Sequence, residues 1–150
     1  MDKQLKNIDD AYKWSLETVE SLRIGDFSRI DTDELINEIG SIASGLYREL
    51  VSVLREIIES MLVLEHTEAN EIDKRDADLR LTHAQGQLQL ILYASPSLKQ
   101  VVAGAVKESY LDARSFVSED YNVILPETCF IPLDRIVEDP YDRLVARRTI

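Results

Sequence analysis

Residue types that would point to particular structures are scarce in this sequence. Cys129 is the only cysteine, so no internal disulfide can form, and we expect a reducing, cytoplasmic location. Glycine and proline number five and four in 150 residues. A β sandwich needs a turn signal every few residues, so this scarcity favours long helices.

Basic residues are also few: 17 Lys and Arg stand against 28 Asp and Glu, for a formal net charge of −11. Such a field repels phosphate backbones and anionic lipid headgroups. We therefore expect neither nucleic acid nor a membrane surface as a partner. The charge favours a basic protein partner, or it serves solubility alone.

No apolar run is long enough to span a bilayer. The most apolar stretch, Val51 to Leu64, is interrupted by Arg55, Glu56 and Glu59, whereas a span needs about 20 mostly apolar residues. Met1 to Asp10 contains no apolar signal core.

Apolar residues recur at helical spacing in two N-terminal segments. The first predicts a helix over about Asp9–Ile24, including Ile8 on its apolar face, with Asp9 or Asp10 as N-cap and Gly25 as a left-handed stop. The second begins after Asp31, and its apolar residues follow steps of three and four: Leu35, Ile39, Ile42, Leu46, Leu50, Val53, Ile57, Met61 and Leu64. This spacing predicts a long central helix that its neighbours cover.

Gly40 and Gly45 weaken the central helix, and we expect a kink or short break there with Ser41 or Ser44 as a new N-cap. The acidic stretch Glu65 to Asp78 is predicted to be a connection. The remaining predicted elements are a helix over about Ala77–Leu92, a helix from Ser95-Pro96 to about Ser118, and a proline-containing strap from Leu125 to Pro140 with a short helix at Leu133–Glu138.

These elements predict an all-α fold: a compact bundle of four to five helices with a long central helix and a C-terminal strap. We expect residues 1–150 to form a single domain, with residues 140–150 as a flexible tail that includes Arg143, Arg147 and Arg148.

The residue types that could bind a metal or carry out catalysis do not occur at the short spacings that such sites need. The two histidines, His66 and His83, lack the short spacing of metal ligands, and we expect both on the surface. Glu34 and Glu38 share a helix face and could bind magnesium with acids of the next stretch: Glu49, Glu56 and Glu59. A solvated acidic face explains them better, so we assign no catalytic, cofactor or metal site.

Two further side-chain types have simple structural interpretations. Cys129, between Pro126 and Pro132, is expected to pack against the bundle rather than act as a nucleophile. Of Tyr12 and Trp14, one ring is expected to pack inward and the other to lie at the rim.

Several short motifs occur in an order that resembles a known family. They are Asp10–Trp14, Leu22–Phe27, Glu34–Ile39, Ser95–Lys99, Tyr110–Ala113 and Leu125–Cys129. In this order they resemble the bacterial, mainly cyanobacterial, family called domain of unknown function 29. The resemblance implies a compact helical bundle with no established activity, and hence no catalytic residues. The chain departs from the family at Ser60–Leu64, where members carry a histidine-leucine-leucine-lysine-tryptophan run.

Three functions remain open from the sequence. The one we favour is a protein–protein interaction or regulatory module without catalytic activity or cofactor, whose acidic surface or spare helix face binds an unidentified protein. The second is a homodimer that uses Ile57 to Leu64 as a self-complementary seam. The third is a carboxylate-metal hydrolase built around Glu34 and Glu38.

Overall fold

A computed structural model describes residues 10–142 and residue 145 and has no strand in this part of the chain. The α-helices are α1 (Ala11–Ile24), α2 (Thr32–His66), α3 (Glu71–Ala94), α4 (Val102–Tyr121) and α5 (Leu133–Ile136). Two 3-10 turns cover Phe27–Arg29 and Pro96–Gln100. The predicted all-α bundle is confirmed.

The chain divides into two compact units, one ending at Ala43 and the other beginning at Ser44. The N-terminal unit contains α1 and the first part of α2; the C-terminal unit contains the rest of α2 and everything after it. The single domain stays a prediction. The predicted tail lies largely outside the described residues, as do Ile8, Asp9, Arg143, Arg147 and Arg148.

Both helix starts of the N-terminal unit are fixed by aspartate caps, as predicted. The Asp10 carboxylate accepts the backbone N–H of Lys13 at 2.9 Å, and the Asp31 carboxylate accepts that of Glu34 at 3.2 Å. Each bond satisfies a backbone donor that the first helical turn cannot pair. Gly25, at φ 76°, ends α1 in the left-handed region that glycine adopts without a steric penalty.

Helix α2 runs through Gly40–Gly45 without interruption, so the predicted break with a second N-cap is wrong. The Ser41 hydroxyl donates to the Glu38 carbonyl at 2.8 Å, a bond back into the helix rather than a cap. Glycine lowers helix propensity by only about 1 kcal/mol, which the long flanking helix offsets. A bend at this place stays a prediction.

The core of the C-terminal unit lies among the second part of α2, α3 and α4. Leu50, Leu54, Ile57, Leu88 and Val117 are fully buried there. The Ser109 hydroxyl of α4 donates to the Val51 carbonyl of α2 at 2.9 Å. The apolar face of this part of α2 is therefore shielded by the unit's other helices, as predicted.

The connection between α2 and α3 is much shorter than predicted. Helix α3 begins at Glu71, within the acidic stretch expected to be a loop, and the Asn70 side chain accepts the N–H groups of Ile72 and Asp73, each at 2.9 Å. Acids in a first helical turn interact favourably with the positive end of the helix dipole, so the acidic run starts a helix instead of preventing one.

The segment after α4 forms the predicted strap and is bonded to the bundle through its backbone. The Tyr110 hydroxyl donates to the Pro126 carbonyl at 2.7 Å, and the Arg114 guanidinium donates to the Leu125 carbonyl at 3.0 Å. Farther along, Gln85 and Gln89 of α3 donate to the carbonyls of Arg135 and Val137. These bonds hold the strap and α5 against the C-terminal unit.

Along the described residues, no helix combines the length and apolarity needed to cross a membrane.

Candidate functional site

Helix α1 carries an exposed apolar stripe. Tyr12, Leu16 and Val19 recur at steps of four and three and are 75%, 53% and 49% exposed. The residues of α1 that are buried are polar, namely Thr18 and Ser21. This distribution is the reverse of that expected for a surface helix covering its own core.

The first part of α2 also carries exposed apolar side chains. Ile36, Ile39 and Ile42 lie within one side of the helix at steps of three, and Ile39 and Ile42 are 60% and 64% exposed. Their spacing predicts that neighbouring helices cover Ile39 and Ile42, and this prediction is wrong for the chain by itself. We call the six side chains Tyr12, Leu16, Val19, Ile36, Ile39 and Ile42 the N-terminal apolar face.

Charged side chains lie beside this face and are paired along α1. Lys13 and Glu17 approach to 3.9 Å, and Arg23 and Glu20 to 2.9 Å. Each pair is exposed and worth at most about 0.5 kcal/mol to the helix. The pairs leave α1 with balanced charge, so its exposed stripe can contact another apolar surface without desolvating an unpaired charge.

Tyr12 and Trp14 differ as predicted. Tyr12 is exposed, whereas Trp14 is half-buried. The tyrosine ring therefore belongs to the N-terminal apolar face and the tryptophan ring does not.

The acidic residues considered as magnesium ligands do not gather. Across residues 10–142 and 145, no group of three or more His, Cys, Asp or Glu side chains is placed to hold a metal ion. Glu34 is half-buried and Glu38 is exposed on α2. On the next stretch, Glu59 accepts from Arg55 at 2.6 Å, so its charge is neutralised by a neighbour one turn away. The expectation of no metal and no cofactor stays a prediction.

The two histidines lie on different helices and are both exposed, as expected. His66 ends α2 and His83 lies within α3. The His66 ring meets the Phe130 ring edge-on with 4.8 Å between centroids. This contact places His66 against the strap.

Cys129 packs against the core of the C-terminal unit, as the sequence indicated. Its thiol lies 3.9 Å from the Ile131 carbonyl, to which it donates a weak hydrogen bond. Burial raises the pKa of the Cys129 thiol above its ordinary value, although the hydrogen bond opposes this. Because the thiolate is the reactive form, this setting suits packing rather than nucleophilic attack.

The seam proposed for a homodimer is not on the surface. Ile57, Ile58 and Leu62 are fully buried, and Met61 and Val63 nearly so. This specific interface is therefore wrong: its residues already contact the C-terminal unit's own core.

The clefts of the C-terminal unit differ in their lining. Charged side chains of Arg55, Glu56, Glu59 and Arg80 line one of them, whereas another, of about 400 Å³, is lined by Glu49, Ser52, Val53, Gln87, Leu90 and Ile91. Glu49 is its only ionisable lining residue among those described, so the cleft offers no second acid or base for general acid–base chemistry. Sequence reasoning thus missed the feature that stands out, the N-terminal apolar face, although each of its residues is part of a recognisable helical stripe.

Comparison with known proteins identifies a family but no activity. The family described as Domain of unknown function DUF29 matches residues 8–142. No curated protein and no solved structure matches the chain. Because the match covers most of the sequence, the chain belongs to the DUF29 family.

Proposed function

We propose that this protein is a protein–protein interaction module that binds another polypeptide through the N-terminal apolar face. The observation that carries the proposal is the exposure of apolar stripes on both helices of one unit, at Leu16 and Val19 of α1 and Ile39 and Ile42 of α2. Exposed apolar stripes of this kind are uncommon on monomeric proteins and are typical of interaction sites.

The physical advantage of covering the face is large. Removing apolar surface from water contributes about 25 cal/mol per Å², so covering one half-exposed Ile side chain contributes roughly 2 kcal/mol. The stripe on α1 and the stripe on α2 each follow helical spacing. A partner that presents helices of its own can pack its side chains between them.

Position-specific crosslinking tests this function. A photoreactive benzophenone amino acid replaces Leu16 or Ile39 in the full chain, and matched controls carry it at Glu17 or Asn37, which are exposed on the other side of the same two helices. Irradiation of the purified chain, and of the chain in cell extract, is followed by gel electrophoresis and mass spectrometry.

We expect intermolecular adducts from positions 16 and 39 and little from positions 17 and 37. Adducts of equal yield from all four positions, or adducts only at the mass of one chain, would contradict the proposal. In those cases the face contacts nothing selectively, or it contacts only its own chain.

A further inference from the structure

We infer that the polypeptide bound by the N-terminal apolar face is a second copy of this chain, which presents the same face. The inference rests on the proposed function and specifies its partner. In the resulting two-fold dimer, α1 and the first part of α2 of each chain form a four-helix arrangement, with the apolar side chains of both copies at its centre.

The extent of the exposed surface matches what such a dimer needs. The six side chains of the N-terminal apolar face are between 49% and 75% exposed. At roughly 100 Å² each they present about 600 Å², so two copies would bury about 1,200 Å² in total, the lower end of the range for a specific interface.

The composition of the N-terminal unit explains why a copy of itself fits. Apart from a 3-10 turn, its described helices are α1 and the first part of α2. Within α1 the buried side chains are Thr18 and Ser21, which contribute little apolar burial. Two helices cannot enclose a core, whereas four helices can. In a two-fold dimer the second copy contributes the other two helices, which carry the same apolar stripes.

Charge opposes this dimer only weakly. Residues 10–43 carry eight acidic and three basic side chains, a net charge of −5. The balanced pairs of α1 contribute nothing to that excess, which comes partly from Asp33, Glu34 and Glu38 at the start of α2. Exposed charges of this kind are screened over about 8 Å at physiological ionic strength.

The salt dependence of binding therefore distinguishes a second copy from a basic partner. Screening reduces repulsion between two acidic units, so self-association is expected to strengthen as salt rises. Binding of a basic helix would weaken over the same range. This measurement uses the unmodified full chain and requires no substitution.

The decisive experiment is sedimentation velocity on the full chain, its Ile39→Glu variant and the matched Asn37→Glu control. Both substitutions add one negative charge to the same helix, but Asn37 lies roughly opposite Ile39 and Ile42. We expect the unmodified chain to dimerise with a Kd below about 100 μM, as interfaces of this size do. We expect Ile39→Glu to weaken dimerisation about 100-fold and Asn37→Glu to weaken it less than about threefold.

A dimer that tightens with salt and is lost only in Ile39→Glu supports the inference. A chain that stays monomeric at about 100 μM in both low and high salt overturns it. Equal weakening by both variants also overturns it, because the effect would then follow charge and not the face. Far-UV circular dichroism checks that each variant is folded; if Ile39→Glu is not, Leu16→Glu on α1 tests the same face with Glu20 left in place.

The crosslinking described under Proposed function distinguishes failure of this inference from failure of the function itself. Adducts at twice the chain mass support a second copy. Adducts from positions 16 and 39 to a different polypeptide preserve the interaction function and overturn the dimer. The absence of position-selective adducts overturns both.

Discussion

The two parts of α2 follow the same apolar pattern but have opposite environments. In the N-terminal unit Ile39 and Ile42 are exposed, whereas in the C-terminal unit Leu50, Leu54 and Ile57 are fully buried. The pattern thus predicts which side of a helix is apolar. Whether that side is buried depends on how many other helices the chain supplies to cover it.

The C-terminal unit supplies α3, α4 and the strap, and the N-terminal unit supplies only α1 and a 3-10 turn among the described residues. Exposure of the first part of α2 is therefore a consequence of helix number. Mutations in the second part of α2 should change the stability of the fold, whereas mutations in the first part should change association between chains.

Truncation of a core side chain should have the largest effect. Ile57→Ala is expected to lower the free energy of unfolding by about 3 kcal/mol, since it removes buried methyl groups and leaves a cavity. Ile39→Ala, the same substitution at an exposed position, is expected to change it by less than about 0.5 kcal/mol. Urea denaturation at low protein concentration, where monomer dominates, measures both. Equal losses would show that the two parts of α2 have the same environment.

Removal of a serine hydroxyl should give the next largest difference. Ser109→Ala is expected to destabilise the chain by about 1 kcal/mol, since the single proton of the buried hydroxyl is shared between the Ala105 carbonyl at 2.8 Å and the Val51 carbonyl at 2.9 Å. Ser41→Ala, which removes an exposed hydroxyl in the first part of α2, should be neutral or slightly stabilising because alanine has the higher helix propensity. The same urea titrations decide this, and a larger loss for Ser41→Ala would contradict the account.

Glycine replacement tests the boundary between the two parts. A Cβ atom at Gly40 would meet no atom within 4 Å, so Gly40→Ala is expected to stabilise the chain by roughly 0.5–1 kcal/mol. Gly25→Ala is the contrasting control and should destabilise it by about 1 kcal/mol, because Gly25 has a positive φ. Thermal unfolding followed by circular dichroism measures both changes. A destabilising Gly40→Ala would indicate that the helix is not continuous there.

The smallest effect should be a pH dependence at the end of α2. Arg135 donates to the Glu65 carboxylate, with one N···O distance of 3.1 Å, and lowers the pKa of Glu65 below its ordinary value of 4.5. A lowered pKa in the folded state stabilises the protein fully above the ordinary value, and the stabilisation is lost as pH falls through the lowered pKa. Because both groups are partly exposed, we expect less than about 1 kcal/mol.

Glu65→Gln and Arg135→Gln should each remove this pH-dependent part. The difference in unfolding free energy between either variant and the unmodified chain should be largest at neutral pH and shrink under acid conditions. A difference that grows as pH falls would contradict the sign of the effect.

Much of the fold follows from local signals in the sequence. Asp10, Gly25 and Asp31 mark helix ends because their side chains or backbone freedom act on immediate neighbours. The predicted start of α3 is too late in the chain, because Asn70 caps the helix and acids that resemble loop residues also suit a first helical turn. Local chemistry can support two interpretations of the same residues, and tertiary contacts decide between them.

The candidate site could not be predicted in the same way. Periodicity identified Ile39 and Ile57 as members of one stripe, but it contains no information on which neighbours surround each of them. The predicted dimer seam is the wider apolar segment, Ile57 to Leu64, but its width reflects burial on several sides. The number of predicted helices before the Gly40–Gly45 segment, compared with the number after it, is the sequence signal that indicates which part of the stripe is exposed.

Solvent accessibility of isoleucine methyl groups tests the central contrast most directly. In methyl-labelled full chain with a soluble paramagnetic agent, we predict strong broadening of the Ile39 and Ile42 methyl signals at low protein concentration, and protection of both as concentration rises. The Ile57 and Ile58 signals should be protected at every concentration. Protection of Ile39 and Ile42 already in the dilute monomer, or equal broadening of all four residues, would contradict the account.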